Sequence, residues 1–360
     1  MSALAAEPVA LITGGAGFIG SNLAQRLLAE GRRVLVFDNL SRAGVRNNLR
    51  MLQERYPERL EVTVADVREA GAVSDAVNRA DEIYHLAAQV AVTTSLESPL
   101  EDFEINAQGT LNVLEAARRR RPAPEMIFTS TNKVYGALDD VSLMKTAQRY
   151  VPVDPLIRDH GIGESRSLDF HSPYGCSKGA ADQYVLDYAR SYGLPAVVFR
   201  MSCIYGPHQF GNEDQGWVAH FIIQARDNHP LTIFGDGCQV RDVLYVGDLV
   251  EAFVLARQNI GALAGHAYNI GGGVRNTLSL RELMDLLSTQ HGLRLATGFA
   301  PWRTGDQRYY VSDTRRFAQA TGWHARVGPG EGIERLLDWL TDRTAPIANS
   351  RPVPSLAVRP

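Results

Sequence analysis

A short apolar run, Val9-Ala10-Leu11-Ile12-Thr13, passes directly into Gly14-Gly15-Ala16-Gly17-Phe18-Ile19-Gly20. The run is typical of a strand buried on both faces in a parallel sheet. Glycines at 14, 17 and 20 permit a tight turn and a close approach of backbone to a ligand. Ser21 to Glu30 then reads as a helix, and Arg33 to Phe37 as a second strand with Asp38 at its end. A helix N-terminus reached through glycines favours a pyrophosphate. A carboxylate about twenty residues further on can hold both hydroxyls of a ribose. This strand–helix–strand unit predicts a dinucleotide site on an open, mostly parallel α/β sheet. Asp38 repels a 2′-phosphate and so favours NAD over NADP. Arg42 pulls the other way, because an arginine near this point can accept that phosphate.

The rest of the chain bounds the classes of function. Its 360 residues suffice for one large α/β domain or two closely joined ones. A net charge of −3, without long runs of one sign, gives no footprint for nucleic acid. The basic patch Arg118 to Arg121 reads as a solvated helix end. Cys176, Cys203 and Cys238 are odd in number and far apart. That argues against a disulfide framework or a zinc site and fits a reducing cytoplasm. No run approaches the ~20 apolar residues that span a bilayer. The N-terminus also lacks the basic start and apolar core of a signal peptide.

Further strands follow in register. Leu60 to Ala65 ends in Asp66-Val67, where an Asp can bond the adenine amine. Ile83-Tyr84-His85 runs into Leu86-Ala87-Ala88-Gln89, whose small residues let a cofactor lie against backbone. Leu100 to Arg120 reads as one long helix, interrupted on its apolar side by Asn106, which needs a partner if buried. Met126-Ile127-Phe128 leads into Thr129-Ser130-Thr131-Asn132-Lys133, with hydroxyls where a parallel sheet faces its ligand crevice. Residues 137–170 form a connection long enough to be functional or mobile.

His171-Ser172-Pro173-Tyr174-Gly175-Cys176-Ser177-Lys178 opens the next helix. Tyr174 and Lys178 stand four apart and share a face. An ammonium beside a phenol favours the phenolate and lowers a pKa that is ordinarily near ~10. Alone the pair is a common chance match on a surface helix. Beside a dinucleotide site and a strand-end hydroxyl it becomes a base.

From Met201 the strand–helix alternation loosens. Tyr205 to Trp217 is polar, aromatic and glycine-rich, as a ligand-wrapping loop would be. Arg241, Arg303 and Arg308 offer guanidinium forks that match diphosphate oxygens. The reading is a Rossmann-type doubly wound parallel sheet with a smaller, interleaved α/β substrate domain. Residues 1–200 and 240–262 make the NAD-binding domain, and 201–239 with 263–341 the substrate domain. The proline-rich stretch 342–360 reads as a mobile tail.

Thr13 to Gly20, Asp38-Asn39-Leu40-Ser41, His85 to Ala88, Thr131 to Gly136, Tyr174-x-x-x-Lys178 and Arg241 to Asp248 resemble the extended short-chain dehydrogenase/reductase family of nucleotide-sugar epimerases and dehydratases. Within it, Thr131 to Gly136, Leu168 to Tyr184, Tyr205-Gly206 and Asp214 to Val218 are most similar to the subgroup of CDP-hexose 2-epimerases. The resemblance implies an NAD-dependent enzyme that inverts C2 of a CDP-linked (deoxy)hexose through a transient ketone. A UDP-sugar 4-epimerase, another oxidoreductase or dehydratase of the family, and an NAD-binding sensor or scaffold without turnover are its rivals. Thr131, Tyr174 and Lys178 are implied as the catalytic set, with Lys178 also holding the nicotinamide ribose. Cofactor contacts are implied at Gly14, Gly17, Phe18, Ile19, Gly20, Asp38, Asn39, Ser41, Arg42, Asp66, Val67, Leu86, Ala87, Ala88, Gln89, Asn106, Thr129 and Met201. Substrate contacts fall on Thr131, Asn132, Lys133, Cys203, Gln209, Val218, Arg241, Arg303 and Arg308. A dehydratase would carry an Asp-Glu pair after Thr131; Asn132 and Lys133 stand there instead. The resemblance further implies a homodimer joined by the helix around residues 100–120 and the helix from Tyr174.

Overall fold

Seven parallel strands form the central sheet of the computed structural model, which describes residues 7–303 and 305–344. They are β1 (Val9–Thr13), β2 (Arg33–Phe37), β3 (Leu60–Thr63), β4 (Glu82–His85), β5 (Glu125–Thr131), β6 (Ala196–Met201) and β7 (Ala267–Ile270). Their spatial order is β7-β6-β5-β4-β1-β2-β3. Successive side chains of a strand point to opposite faces, and the apolar residues divide accordingly. Ile12, Val36, Tyr84 and Phe199 enter one core with Leu23, Leu27 and Phe253 from the helices Phe18–Ala29 and Val246–Gln258. Leu11, Phe37, Ile83 and Phe128 enter the other with Val113, Ala181 and Val185 from the helices Gly109–Arg119 and Ser172–Tyr192. Each buried aliphatic side chain contributes about 1.5–3 kcal/mol through transfer from water. This is a Rossmann-type doubly wound sheet. Its strand order reverses between β1 and β4, which opens the crevice where such folds bind ligands.

A second, smaller unit sits over the carboxyl ends of these strands. Val240–Tyr245 is its central strand, paired with Cys203–Tyr205, Thr277–Ser279 and Tyr309–Tyr310. Tyr205, Phe221, Leu283, Leu287, Ile333 and Leu336 form its core. Ser279 caps the helix Leu280–His291 in a reciprocal capping box with Glu282, as its sequence position suggests.

The strand pairing corrects three boundaries. Residues 240–245 pair only within the small sheet, so the chain returns to the first domain at Val246, not at 240. Residues 267–270, read as part of the substrate domain, complete the main sheet as β7. The last helix is Pro329–Thr344, so the expected tail from 342 begins inside it, and 345–360 lie outside the described residues. The connection 137–170 has structure of its own: a hairpin of Leu143–Lys145 with Tyr150–Pro152, then the helix Pro155–His160. Tyr150 bonds Asp236 at 2.7 Å, and Ile162 bridges to Ser312, so the insert braces the small unit from outside. The long helix expected over 100–120 carries one π-helical segment, Glu104–Gln108, between Pro99–Phe103 and Gly109–Arg119. No helix among the described residues is long and apolar enough to cross a membrane.

Candidate active site

A cavity of about 1090 Å³ runs from the glycine turn, over the ends of β1, β2, β4 and β5, into the small unit. Gly14 adopts a φ of 69°, and a methyl group there would strike the backbone of Ala87. A methyl at Gly20 would collide with the Gly14 carbonyl, so the helix packs against the turn only without side chains. Gly17 starts that helix with no side-chain cap. Its first N–H groups, which lack intrahelical partners, are available to a pyrophosphate. Asp38 follows at the rim of the same cavity. Its Oδ2 accepts from the Ala16 N–H at 3.0 Å and its Oδ1 from the Leu40 N–H at 2.8 Å. Burial pushes its carboxyl up, and these N–H groups draw it back. The cradle fits a dinucleotide.

Every sequence-designated cofactor residue lines this cavity except Asn106. Asn39 and Arg68 both bond Asp66, and Arg68 holds the Asp66 carboxyl down at about 2. Arg42 reaches across to bond Gln215 of the small unit. Asn106 lies beneath the site, in the π-helical segment. Its Oδ1 accepts from the Gln89 N–H at 3.0 Å, and its Nδ2 donates to Asp102 and Ser177 at 3.1 Å each. It is a positioning residue rather than a lining one. Such π segments often mark functional sites.

Sequence reasoning missed the rest of this buried network. Asp102 is buried, accepts from Ser177, Asn106 and Gln89, and forms no ion pair among the described residues, though the Lys178 charge acts on it. Burial pushes its carboxyl up. Its one sequence signal is the four-residue spacing from Asn106, which puts both on one helical face. His85 is also missed. The Thr13 hydroxyl accepts from the N–H groups of Leu86 and Ala87 at 3.2 Å each. Both its lone pairs are then used, so its proton goes to His85 Nδ1 at 2.7 Å. His85 Nε2–H therefore donates to Thr110 Oγ1 at 3.0 Å, which donates to the Asn106 carbonyl. Burial brings the imidazole down to about 3, so it stays neutral and fixes the Leu86-Ala87 turn.

Thr131 ends β5, and Tyr174 sits in the first turn of the Ser172–Tyr192 helix; both line the cavity, with the Thr131 hydroxyl close enough to favour the phenolate and donating to Asn132 Oδ1 at 3.3 Å. Lys178, one turn on, donates to the Thr129 carbonyl at 2.6 Å and lies 4.3 Å from the Phe128 ring centroid. Here the sequence expectation needs correction. Burial raises the Tyr174 phenol to about 12 and brings the Lys178 ammonium down to about 7. With its ammonium turned to Thr129, Lys178 is not among the charges that set the phenol here. The Thr131 hydroxyl and Arg42 favour the phenolate, while Asp102 opposes it.

Asn132, Lys133, Cys203, Gln209, Val218, Arg241 and Arg303 line the far half of the cavity. Arg241 donates to Asp306 at 2.7 Å. Arg303 lies 3.8 Å from the Phe234 ring centroid and donates to Glu213 through its carbonyl at 3.1 Å and its carboxylate at 3.0 Å. Arg308 does not join them. It is exposed outside the cavity, near the rings of Tyr150 and Trp302. Its neighbour Gln307 points inward instead, donating to the Gly136 carbonyl at 2.6 Å. No residue of the 137–170 insert lines the cavity.

Residues 10–271 match the model of the NAD dependent epimerase/dehydratase family. The chain belongs to that family. NAD is the family's cofactor, and the glycine cradle with Asp38 fits it. The chain is 45% identical over 336 residues to the CDP-paratose 2-epimerase of Salmonella typhi, covering 91% of this chain and 98% of the relative. It is 32% identical to a putative UDP-glucose 4-epimerase of Methanocaldococcus jannaschii, over 92% and 97% of the two chains. Among solved structures it superposes on a UDP-glucose 4-epimerase of Thermus thermophilus in complex with NAD. The TM-score is 0.77 at 34% identity, over 94% of this chain and 99% of that one. As a family member the chain is an NAD-dependent nucleotide-sugar enzyme of the epimerase/dehydratase type.

Proposed function

We propose that the protein inverts C2 of a CDP-linked (deoxy)hexose through a transient ketone. The observation that carries inversion is the meeting of Thr131 and Tyr174 in the cavity, followed by Asn132 and Lys133 rather than an acid pair. The near full-length 45% relative supports C2 and cytidine. NAD supplies hydride acceptance and return at the reacting carbon, and its positively charged nicotinamide favours the phenolate of Tyr174. Tyr174 takes the proton of the sugar hydroxyl, with Thr131 bonded to the same oxygen. Once the ketone has turned over, Tyr174 returns the proton. Arg241 and Arg303 hold the diphosphate as pivot. Lys178 holds the nicotinamide ribose, and Asp38 the adenosine ribose.

Incubation of the holoenzyme with CDP- and UDP-hexoses, with product NMR, tests this reading. Inversion at C2 of the CDP-sugar is expected. Inversion only at C4 of a UDP-sugar would move the protein to the group of its 32% relative.

The titration of Tyr174 offers a second test. Since burial, joined by Asp102, pushes the phenol up to about 12, this reading expects the bound cofactor to bring it down. Tyrosinate absorbance of the holoenzyme is expected to rise at a pH below roughly 10, and to rise less in Tyr174→Phe. Equal titrations would show that the base is another group.

We also propose a homodimer. Leu100 and Phe103 are 69% and 52% exposed, and Leu96 and Tyr184 on the neighbouring helices are also exposed. The helices that carry them pack against one another, and exposed apolar residues so placed are of the kind that marks association. Phe103→Glu is expected to give a monomer by light scattering at micromolar concentration. An unchanged dimer would place the interface elsewhere.

A further inference from the structure

Lys133 is expected from the resemblance among the substrate contacts, but the steps proposed above give its side chain no part. It lies in the short 3-10 turn Asn132–Tyr135. Its backbone N–H donates to Thr131 Oγ1 at 3.2 Å, so the turn that carries it also orients the reacting hydroxyl. Its side chain lines the cavity, where Nζ donates to the Gly305 carbonyl at 3.1 Å. An ammonium has three donors. The nearest carboxylate, Asp306, is 4.0 Å away, and its Oδ1 already accepts from Arg241 at 2.7 Å. Lys133 is thus held in place without being closely paired. Burial and Arg241 bring its ammonium down to about 8.

Its position decides what it can meet. Thr131 marks the reacting end of the cavity, and Arg241 the end assigned above to the diphosphate. Lys133 is joined to both, through its backbone to Thr131 and through Asp306 to Arg241. A hexose hung from a diphosphate at Arg241, with one hydroxyl at Thr131 and Tyr174, spans the interval that Lys133 faces. The hydroxyls of a hexose are chemically alike, and a base with one hydroxyl partner cannot tell them apart. A third donor at a set place can, because only one register of the ring satisfies all three. An ammonium on a flexible stem also follows an oxygen as the ring turns, which a planar guanidinium does less well.

We propose that the Lys133 ammonium binds a non-reacting oxygen of the sugar and so selects which carbinol carbon stands beside Tyr174. The proposal rests on the nucleotide-sugar reading and deepens it. Its test is Lys133→Met in the holoenzyme, with the affinities for CDP-hexose and for CDP measured separately by calorimetry. The affinity for the nucleotide sugar is expected to fall roughly tenfold to a hundredfold, the range for a lost charge-assisted hydrogen bond. CDP has no sugar, and its affinity should stay within about twofold. Product NMR should show inversion no longer confined to one carbon. Unchanged sugar affinity with single-carbon inversion overturns the proposal. So does an equal loss for CDP, which would make Lys133 a diphosphate contact. Should the methionine variant melt early or lose NAD, Lys133→Gln serves for the same comparison, keeping a donor without the charge. Failure of the substrate reading shows separately, in which carbon and which nucleotide the unaltered protein selects.

Discussion

Tyr174→Phe is expected to lower turnover by roughly 10²–10⁴-fold, the usual contribution of a positioned acid–base group, while NAD stays bound. The phenol hydroxyl lines the cavity beside Thr131 and can both take and return a proton at the reacting oxygen. The glycine turn and Asp38 lie at the other end of the cofactor cradle and lose nothing in this variant. Turnover above about a tenth of the unaltered rate would remove Tyr174 from the chemistry. Loss of NAD together with turnover would make its role structural. The experiment also decides the reading of another class, a sensor or scaffold that binds NAD without turnover, since a sensor would keep its NAD response with phenylalanine at 174.

Asp182→Ala is expected to cost about 3–5 kcal/mol, the penalty for leaving a buried charge without its partner. Asp182 takes both arms of Arg200, each at 2.9 Å, and both residues are buried. Arg200 donates on to Tyr135 at 3.2 Å, Tyr135 to Asn269 at 2.7 Å, and Asn269 to the Ile162 carbonyl at 2.8 Å. One ion pair therefore ties the catalytic helix, the turn after Thr131, β7 and the insert together. Asp182 also lies one turn beyond Lys178, and its charge favours the ammonium there. The melting temperature should fall by about 4–7 °C for a chain of this size. The double replacement Asp182→Met with Arg200→Met should recover much of that, because no charge is then stranded. A single variant that melts within about 2 °C of the unaltered protein would mean that water reaches Arg200.

What the sequence reveals follows the range of the interactions involved. Gly14, Gly17, Gly20 and Asp38 are legible because a strand, a turn and a helix dictate them within thirty residues. Tyr174 and Lys178 are legible because a helix places them four apart. The strands of the small unit are two to six residues long and pair across as many as 69 positions, from Val240 to Tyr309. Such segments are too short for periodicity, so residues 240–245 and 267–270 exchange sides between reading and structure. Arg308 and Gln307 fail for a related reason. Adjacent residues face opposite ways, and only the packing of Tyr309–Tyr310 against Val240–Tyr245 decides which one points inward. Asp102 and Ser177 are seventy-five residues apart and meet only through the fold. The Tyr174 correction is electrostatic. Helical spacing brings the lysine near, but the Thr129 carbonyl takes its ammonium, and burial then governs the phenol.

The grip of Glu213 on Arg303, with Asp214 3.7 Å behind it, bears on how a nucleotide enters. A diphosphate that reaches this guanidinium meets a cation already matched by carboxylates. Capture is then an exchange of anions at Arg303, on a loop whose Gln215 is also bonded by Arg42. Few mobile ions are set free in such an exchange. The affinity for nucleotide should thus depend on ionic strength far less than a count of cavity arginines implies, and a nucleoside without phosphates has no anion to exchange for the Glu213 carboxylate.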